Sequence, residues 1–159
     1  MQQEELKTLF DKQAAGYDKQ SARMAAIRDC LHLLVKSVFS DLPTDANILC
    51  VGTGTGAERA YLATNFPDWT FTGVEPSGAM LEVCRMRAET EGYASRCEFH
   101  EGYLESLPEK QSFDGATCFL VSQFFLAQSA RSNFFRTIAR RLKPGGILAS
   151  ADLASYVNS

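Results

Sequence analysis

The sequence predicts an α/β fold, a doubly wound, mostly parallel sheet with helices on both faces. From Asn47 onward, short apolar runs alternate with segments whose apolar residues recur every three or four positions, the strand–helix rhythm of such sheets. The run from Gly115 to Val121 is apolar nearly throughout, as expected of a strand buried on both faces. The apolar run Ile48 to Val51 passes directly into Gly52, Gly54 and Gly56, and a helix-forming segment follows.

Each element can be justified in order. Residues 3 to 20 are expected to form a short amphipathic helix that loosens around Gly16, with Phe10 and Tyr17 anchoring an N-terminal flap. A second helix follows, with Ser21 as its N-cap. Its stripe of Met24, Ile27, Leu31, Leu34, Val35 and Val38 reads as core packing, which places His32 on the solvent side. Asp41 to Asp45 is a loop, and strand one begins near Asn47. A helix over 57 to 65 ends before Pro67, and Trp69 to Val74 is strand two with Glu75 at its end. Ser77 caps the next helix, which carries Met80, Leu81, Cys84 and Met86 and closes at Gly92. Residues 96 to 100 form strand three. Phe113-Asp114 opens strand four, Gly115 to Val121. Ser132 or Asn133 caps a helix whose face is Phe134, Phe135, Ile138, Ala139 and Leu142. Lys143-Pro-Gly-Gly146 breaks that helix, and Ile147 to Ala151 is strand five.

At 159 residues the chain is expected to be one domain, with 1–40 as a helical cap and 47–159 as an α/β core. A net charge of -3 argues against a general nucleic-acid binder. The local basic run Arg131, Arg136, Arg140, Arg141 and Lys143 reads as the solvated side and last turn of a helix. The five cysteines never form a Cys-x-x-Cys pair, so neither a disulfide framework nor a zinc site is expected. His32 and His100 lie too far apart in sequence to suggest a metal site. The N-terminus carries acidic residues without an apolar leader, and no run approaches a membrane span, so a cytoplasmic protein is expected.

A strand that turns into a helix through glycines aims backbone N–H groups and a helix N-terminus at one point, with no Cβ to keep a ligand away. In doubly wound sheets ligands bind beyond the carboxyl ends of the strands, where strand order reverses. The glycine loop, Glu75, the loop after strand three and the end of strand four should therefore share one cleft. The residues alone admit a dinucleotide, because Gly52-x-Gly54-x-x-Ala57 with Glu75 satisfies the relaxed fingerprint. Context argues against NAD: two helices precede strand one, and five strands leave no second mononucleotide half.

Ile48-Leu-Cys-Val-Gly-Thr-Gly-Thr-Gly56 resembles motif I of the class I S-adenosylmethionine-dependent methyltransferases. Gly73-Val-Glu-Pro-Ser-Gly-Ala-Met-Leu81 is similar to their second motif, and Phe99-His-Glu-Gly-Tyr-Leu-Glu-Ser-Leu-Pro108 to the motif after strand three. Phe113-Asp114 and Arg141-Leu-Lys-Pro-Gly-Gly146 resemble the fourth and fifth landmarks. Phe10-Asp11 and Tyr17-Asp18 resemble the segment that closes over the cofactor in small-molecule members. The resemblance implies a Rossmann-like sheet ordered 3-2-1-4-5 and methyl transfer from S-adenosylmethionine to a small-molecule acceptor, leaving S-adenosylhomocysteine. It implies a cofactor site formed by Tyr17, Gly52, Thr53, Gly54, Gly56, Glu75, Pro76, Tyr103, Leu104 and Val121, with no metal. Glu75 would receive the ribose hydroxyls, while Tyr103 and the Leu104 N–H would meet the adenine.

Two positions depart from the family pattern. Cys50 stands where an acid usually helps hold the methionine ammonium, which leaves that task to backbone carbonyls of the glycine loop. Tyr103 stands where an Asp usually meets the adenine amino group. No residue is assigned to catalysis; Tyr17, His100, Ser122 and Gln123 are the candidates for a general base near the cleft mouth. Members of the family usually continue past strand five, so the chain reads as truncated there. Strand five would then be an open edge for an oligomer to cover. The non-catalytic relative, a binding module on the same fold, is the alternative that Cys50 and Tyr103 motivate.

Overall fold

The computed structural model describes residues 2–154, so the last five residues of the expected core lie outside the described part. The elements are α1 (Gln3–Gln13), α2 (Tyr17–Gln20), α3 (Ala25–Val38), β1 (Asn47–Val51), α4 (Ala57–Asn65), β2 (Thr70–Glu75), α5 (Gly78–Thr90), β3 (Cys97–Glu101), β4 (Phe113–Phe119), α6 (Gln128–Ala139) and β5 (Leu142–Ala151). Short 3-10 turns join several of them, at Ala14–Gly16 and Ser21–Met24 within the N-terminal segment and at Leu104–Ser106 and Ser122–Phe124 beside the cleft.

The strands form one sheet in the order β3-β2-β1-β4-β5, every pair parallel, as the family resemblance implies. β1 is central because its residues are apolar on both faces. Ile48 and Cys50 enter one core with Val35, Leu62 and Trp69. Leu49 and Val51 enter the other with Val74, Phe134 and Ile138. The period of two along a strand thus divides one apolar run between two helical layers. Helices α3, α4 and α5 contribute to the first core and α6 to the second. Winding reverses at the β1–β4 pair, and the loops that follow those two strands flank the switch point. Among the described residues no helix is long and apolar enough to cross a membrane.

The structure corrects several expectations. Ser21 does not cap α3: it lies in a 3-10 turn and its hydroxyl donates to the Asp18 carbonyl. The buried face of α3 is His32 and Val35, continued by Phe39 just beyond it, while Ile27, Leu34 and Val38 are all more than half exposed. α3 is apolar on more than one face, and spacing alone does not choose between them. His32 packs against Tyr61 with ring centroids 5.2 Å apart, and burial pushes its pKa down.

α6 begins at Gln128, so Ser132 and Asn133 lie inside it; Leu142 belongs to β5. The Lys143-Pro-Gly-Gly146 segment is part of a ten-residue β5, and the register shift between Phe113 and Gly115 absorbs its irregularity. β4 stops at Phe119, where Leu120 turns the chain with a positive φ of 60°. Arg141 is buried, not solvated. Its guanidinium donates to the Thr137 carbonyl at 2.8 Å and to the Leu107 carbonyl at 2.5 Å, tying α6 to the loop after β3. Lys143 pairs with Asp114 at 3.0 Å.

Candidate functional site

The loop after β1 is built by three glycines in left-handed conformations, φ +65° at Gly52, +53° at Gly54 and +80° at Gly56. The N–H groups of Gly52 and Thr53 both donate to the Val74 carbonyl, at 2.8 and 3.2 Å, which fixes the loop to β2. Two of the glycines are also required by crowding. A Cβ at Gly52 would lie 2.3 Å from Val121 Cγ2, and one at Gly56 would lie 2.3 Å from Cys84 Sγ. At Gly54 a Cβ would meet nothing within 4 Å. That open space belongs to a cavity of ≈ 780 Å³ between the N-terminal helices and the carboxyl ends of the strands.

Two buried carboxylates face this cavity. Glu75, at the end of β2, accepts the Gly54 N–H at 2.9 Å and the Ser77 N–H at 3.0 Å, one on each oxygen. Burial raises its pKa, and the two N–H groups work against that rise. Glu58, in the first turn of α4, accepts the Thr117 hydroxyl at 2.9 Å. Burial pushes its pKa up to about 7, opposed by the Thr117 bond and Arg59 and reinforced by Glu75. Tyr17 hangs into the cavity from the opposite side, and its pKa is raised by burial and by the nearby Glu75, Asp18 and Glu58.

Two aspartates hold the N-terminal helices over the cleft. Asp11 accepts the Ser77 hydroxyl at 2.6 Å, and Ser77 in turn caps α5 by accepting the Met80 N–H at 3.1 Å. Asp18 accepts the Thr55 hydroxyl at 2.7 Å and pairs with Arg87. Phe10, one residue before the first of these aspartates, packs edge-on against both Tyr17 and Phe124, which closes the apolar side of the cavity.

A family profile described as a methyltransferase domain matches residues 48–146, from β1 into β5. The chain belongs to the class I methyltransferase family. The methyltransferase domain is 31% identical over 107 residues to an erythromycin 3''-O-methyltransferase of Saccharopolyspora erythraea, covering 67% of this chain and 34% of that protein. It is 29% identical over 152 residues to methyltransferase GfsG of Streptomyces halstedii, covering 93% of this chain and 53% of that one. The chain thus spans between about a third and about half of these relatives. Among solved structures, the [4+2]-cyclase SpnF superposes with a TM-score of 0.68 at 29% identity, over 78% of this chain and 44% of that one.

Of the expected cofactor-site residues, Tyr17 in the N-terminal segment and Gly52, Thr53, Gly54, Glu75, Pro76, Tyr103, Leu104 and Val121 in the methyltransferase domain all line the cavity. Gly56 does not; it is the N-cap just before α4 and makes room for Cys84. Tyr103 projects toward the N-terminal helix, its hydroxyl 3.5 Å from Glu4 Oε1. Among the proposed bases only Tyr17 reaches the cavity wall. His100 bonds Ser106 Oγ at 2.8 Å, Ser122 donates to Asp152, and the Gln123 side-chain carbonyl accepts the Leu153 N–H at 2.8 Å. Sequence reasoning missed Glu58. A charged residue in a first helical turn ordinarily serves the helix dipole, and only the packing of α4 on the sheet turns this one inward.

Proposed function

We propose that this domain binds S-adenosylmethionine in the cavity and serves methyl transfer to a small-molecule acceptor. The observation that carries the reading is the pairing of open space at Gly54 with the Gly54 N–H bound to Glu75, a buried acid at the carboxyl end of β2. The arrangement fits the group: a main chain that a nucleoside can approach, and a carboxylate placed to accept ribose hydroxyls. Tyr17, Gly52, Thr53, Pro76, Tyr103, Leu104 and Val121 complete the proposed cofactor site, with Gly56 shaping it from behind. The small-molecule acceptor is supported by the relative that acts on erythromycin.

Bound S-adenosylmethionine supplies a methyl group already activated on a sulfonium. The residues of this chain then have to orient and desolvate rather than activate, and alignment of this kind is worth roughly 7–11 kcal/mol. The cap of residues 1–40 excludes water through Phe10 and Tyr17, and the core of 47–159 provides the cleft. On the same reading the protein works in the cytoplasm, apart from nucleic acid and membrane, and a second copy covers the β5 edge.

A second reading keeps the fold and drops the transfer. It is favoured by one observation, the likeness to a solved structure described as a [4+2]-cyclase. Calorimetric titration separates the readings in two stages. S-adenosylhomocysteine should bind with a Kd on the order of micromolar, about -8 kcal/mol, and NAD should give no heat. A folded sample silent toward S-adenosylhomocysteine would rule out the cofactor. Binding without transfer of a labelled methyl group to any of a panel of apolar acceptors favours the second reading.

A further inference from the structure

We infer that Glu58 is the anion that receives the ammonium at the amino-acid end of the cofactor, taking over from the strand position that Cys50 leaves uncharged. The inference rests on the cofactor reading above and assigns one contact within it.

Placement comes first. Glu58 is the second residue of α4, immediately beyond the glycine loop, and it is buried yet lines the cavity. Its hydrogen-bond donor, Thr117, is the register partner of Cys50 across β1 and β4. The carboxylate therefore lies over the strand pair at which Cys50 offers no charge.

The second point is that this carboxylate has no cation. Among the described residues Glu58 forms no ion pair, and the Thr117 hydroxyl is its one side-chain hydrogen bond. The adjacent Arg59 faces elsewhere: its guanidinium lies 4.5 Å above the Phe99 ring and against Cys84 Sγ, with Nε and Nη1 unpartnered. Glu75, the other buried acid of the cavity, already has a backbone N–H on each oxygen. An unneutralised buried carboxylate is costly, and a ligand ammonium removes that cost. The titratable groups around Glu58 are Arg59 on its own helix, Cys50 of β1, Glu75 of β2, Cys84 of α5, Cys118 of β4 and Tyr17 of α2. Arg59 is the one cation in that set, and it is engaged with Phe99 and Cys84.

The test compares S-adenosylhomocysteine with 5′-methylthioadenosine, which shares the adenosine and thioether but lacks the amino-acid end. Both are titrated calorimetrically into the wild-type chain and Glu58→Gln at pH 6 and pH 8. Loss of a charge-assisted bond should weaken S-adenosylhomocysteine about tenfold or more, and 5′-methylthioadenosine less than twofold. In the wild type the preference for S-adenosylhomocysteine should rise from pH 6 to pH 8 as Glu58 ionises, and in Glu58→Gln it should be flat. The wild-type pH arm decides the matter even if the variant does not fold. Equal weakening of both ligands, or no weakening, or a flat wild-type preference overturns the assignment while leaving the cofactor reading intact. A wild type that binds neither ligand overturns both.

Discussion

Thr55 and Asp18 are bonded across the cleft, the Thr55 hydroxyl donating to Asp18 Oδ1 at 2.7 Å. The last residue before Gly56 is thereby fastened to α2, and Arg87 of α5 holds the other oxygen of the same carboxylate. One acid thus joins the cap, the glycine loop and a core helix. Asp18→Ala should release the cap without unfolding the core, because the pair is partly solvated and such pairs contribute about 0.2–1 kcal/mol. The expected result is faster amide exchange over residues 3–24, a global stability within about 1 kcal/mol of wild type, and weaker S-adenosylhomocysteine binding. Unchanged exchange in that segment would mean that Asp11 and the Phe10 contacts hold the cap unaided.

The glycines of the loop should separate stability from binding. Gly56→Ala forces a side chain into φ +80° and onto Cys84 Sγ. Left-handed strain and overpacking together should cost roughly 2–5 kcal/mol. Gly54→Ala carries only the strain, about 1–2 kcal/mol, since its Cβ would meet no protein atom. That Cβ instead occupies ligand space, so Gly54→Ala should retain most of its stability and lose cofactor affinity. Urea midpoints and calorimetry on the same two samples check both halves.

Much of this was legible in the residues. The strand order was legible through the family resemblance, while the glycine loop, the Ser77 cap and the 57–65 helix follow from local chemistry, because glycine, proline and capping residues act within a few positions of themselves. What failed had tertiary causes. Arg141 reads as solvated in any helical projection and is buried because the Thr137 and Leu107 carbonyls lie within its reach. Nine of the ten expected site residues line the cavity, seven of them in the turns after β1 to β4, with Glu75 closing β2 and Tyr17 opening α2. Glu58 was hidden because its inward direction depends on how α4 sits on β1 and β4.

The orientation of α3 offers a test of the same distinction. Its apolar pattern nominates Ile27 and Leu34 as core residues, yet they are 62% and 58% exposed while Val35 is 2% exposed. Ile27→Ser and Leu34→Ser should each shift stability by no more than about 0.5 kcal/mol. Val35→Ala should cost about 2 kcal/mol, from lost burial and the cavity left behind. Thermal or urea unfolding of the three variants decides it, and a large loss at Ile27 would restore the helical-stripe reading.

Glu58 should also govern how stability depends on pH. Its folded pKa, about 7, lies above the ordinary carboxylate value of 4.5, so the fold favours the protonated form. At pH 3 the acid is neutral in both states and contributes nothing. As pH rises through 4.5 the unfolded chain ionises first, and stability falls by an amount that becomes constant above about pH 8, about 3 kcal/mol. Glu58→Gln keeps an acceptor for Thr117 and removes the charge. It should therefore melt higher than wild type at pH 8, by an increment that shrinks steadily and disappears near pH 3. Saturating S-adenosylhomocysteine should narrow that gap at pH 8, by about 1.4 kcal/mol for each tenfold difference in affinity, because the ligand ammonium then stabilises the wild-type carboxylate and finds no anion in the variant. Parallel melting curves at all pH values would show that Glu58 is already neutralised in the free protein.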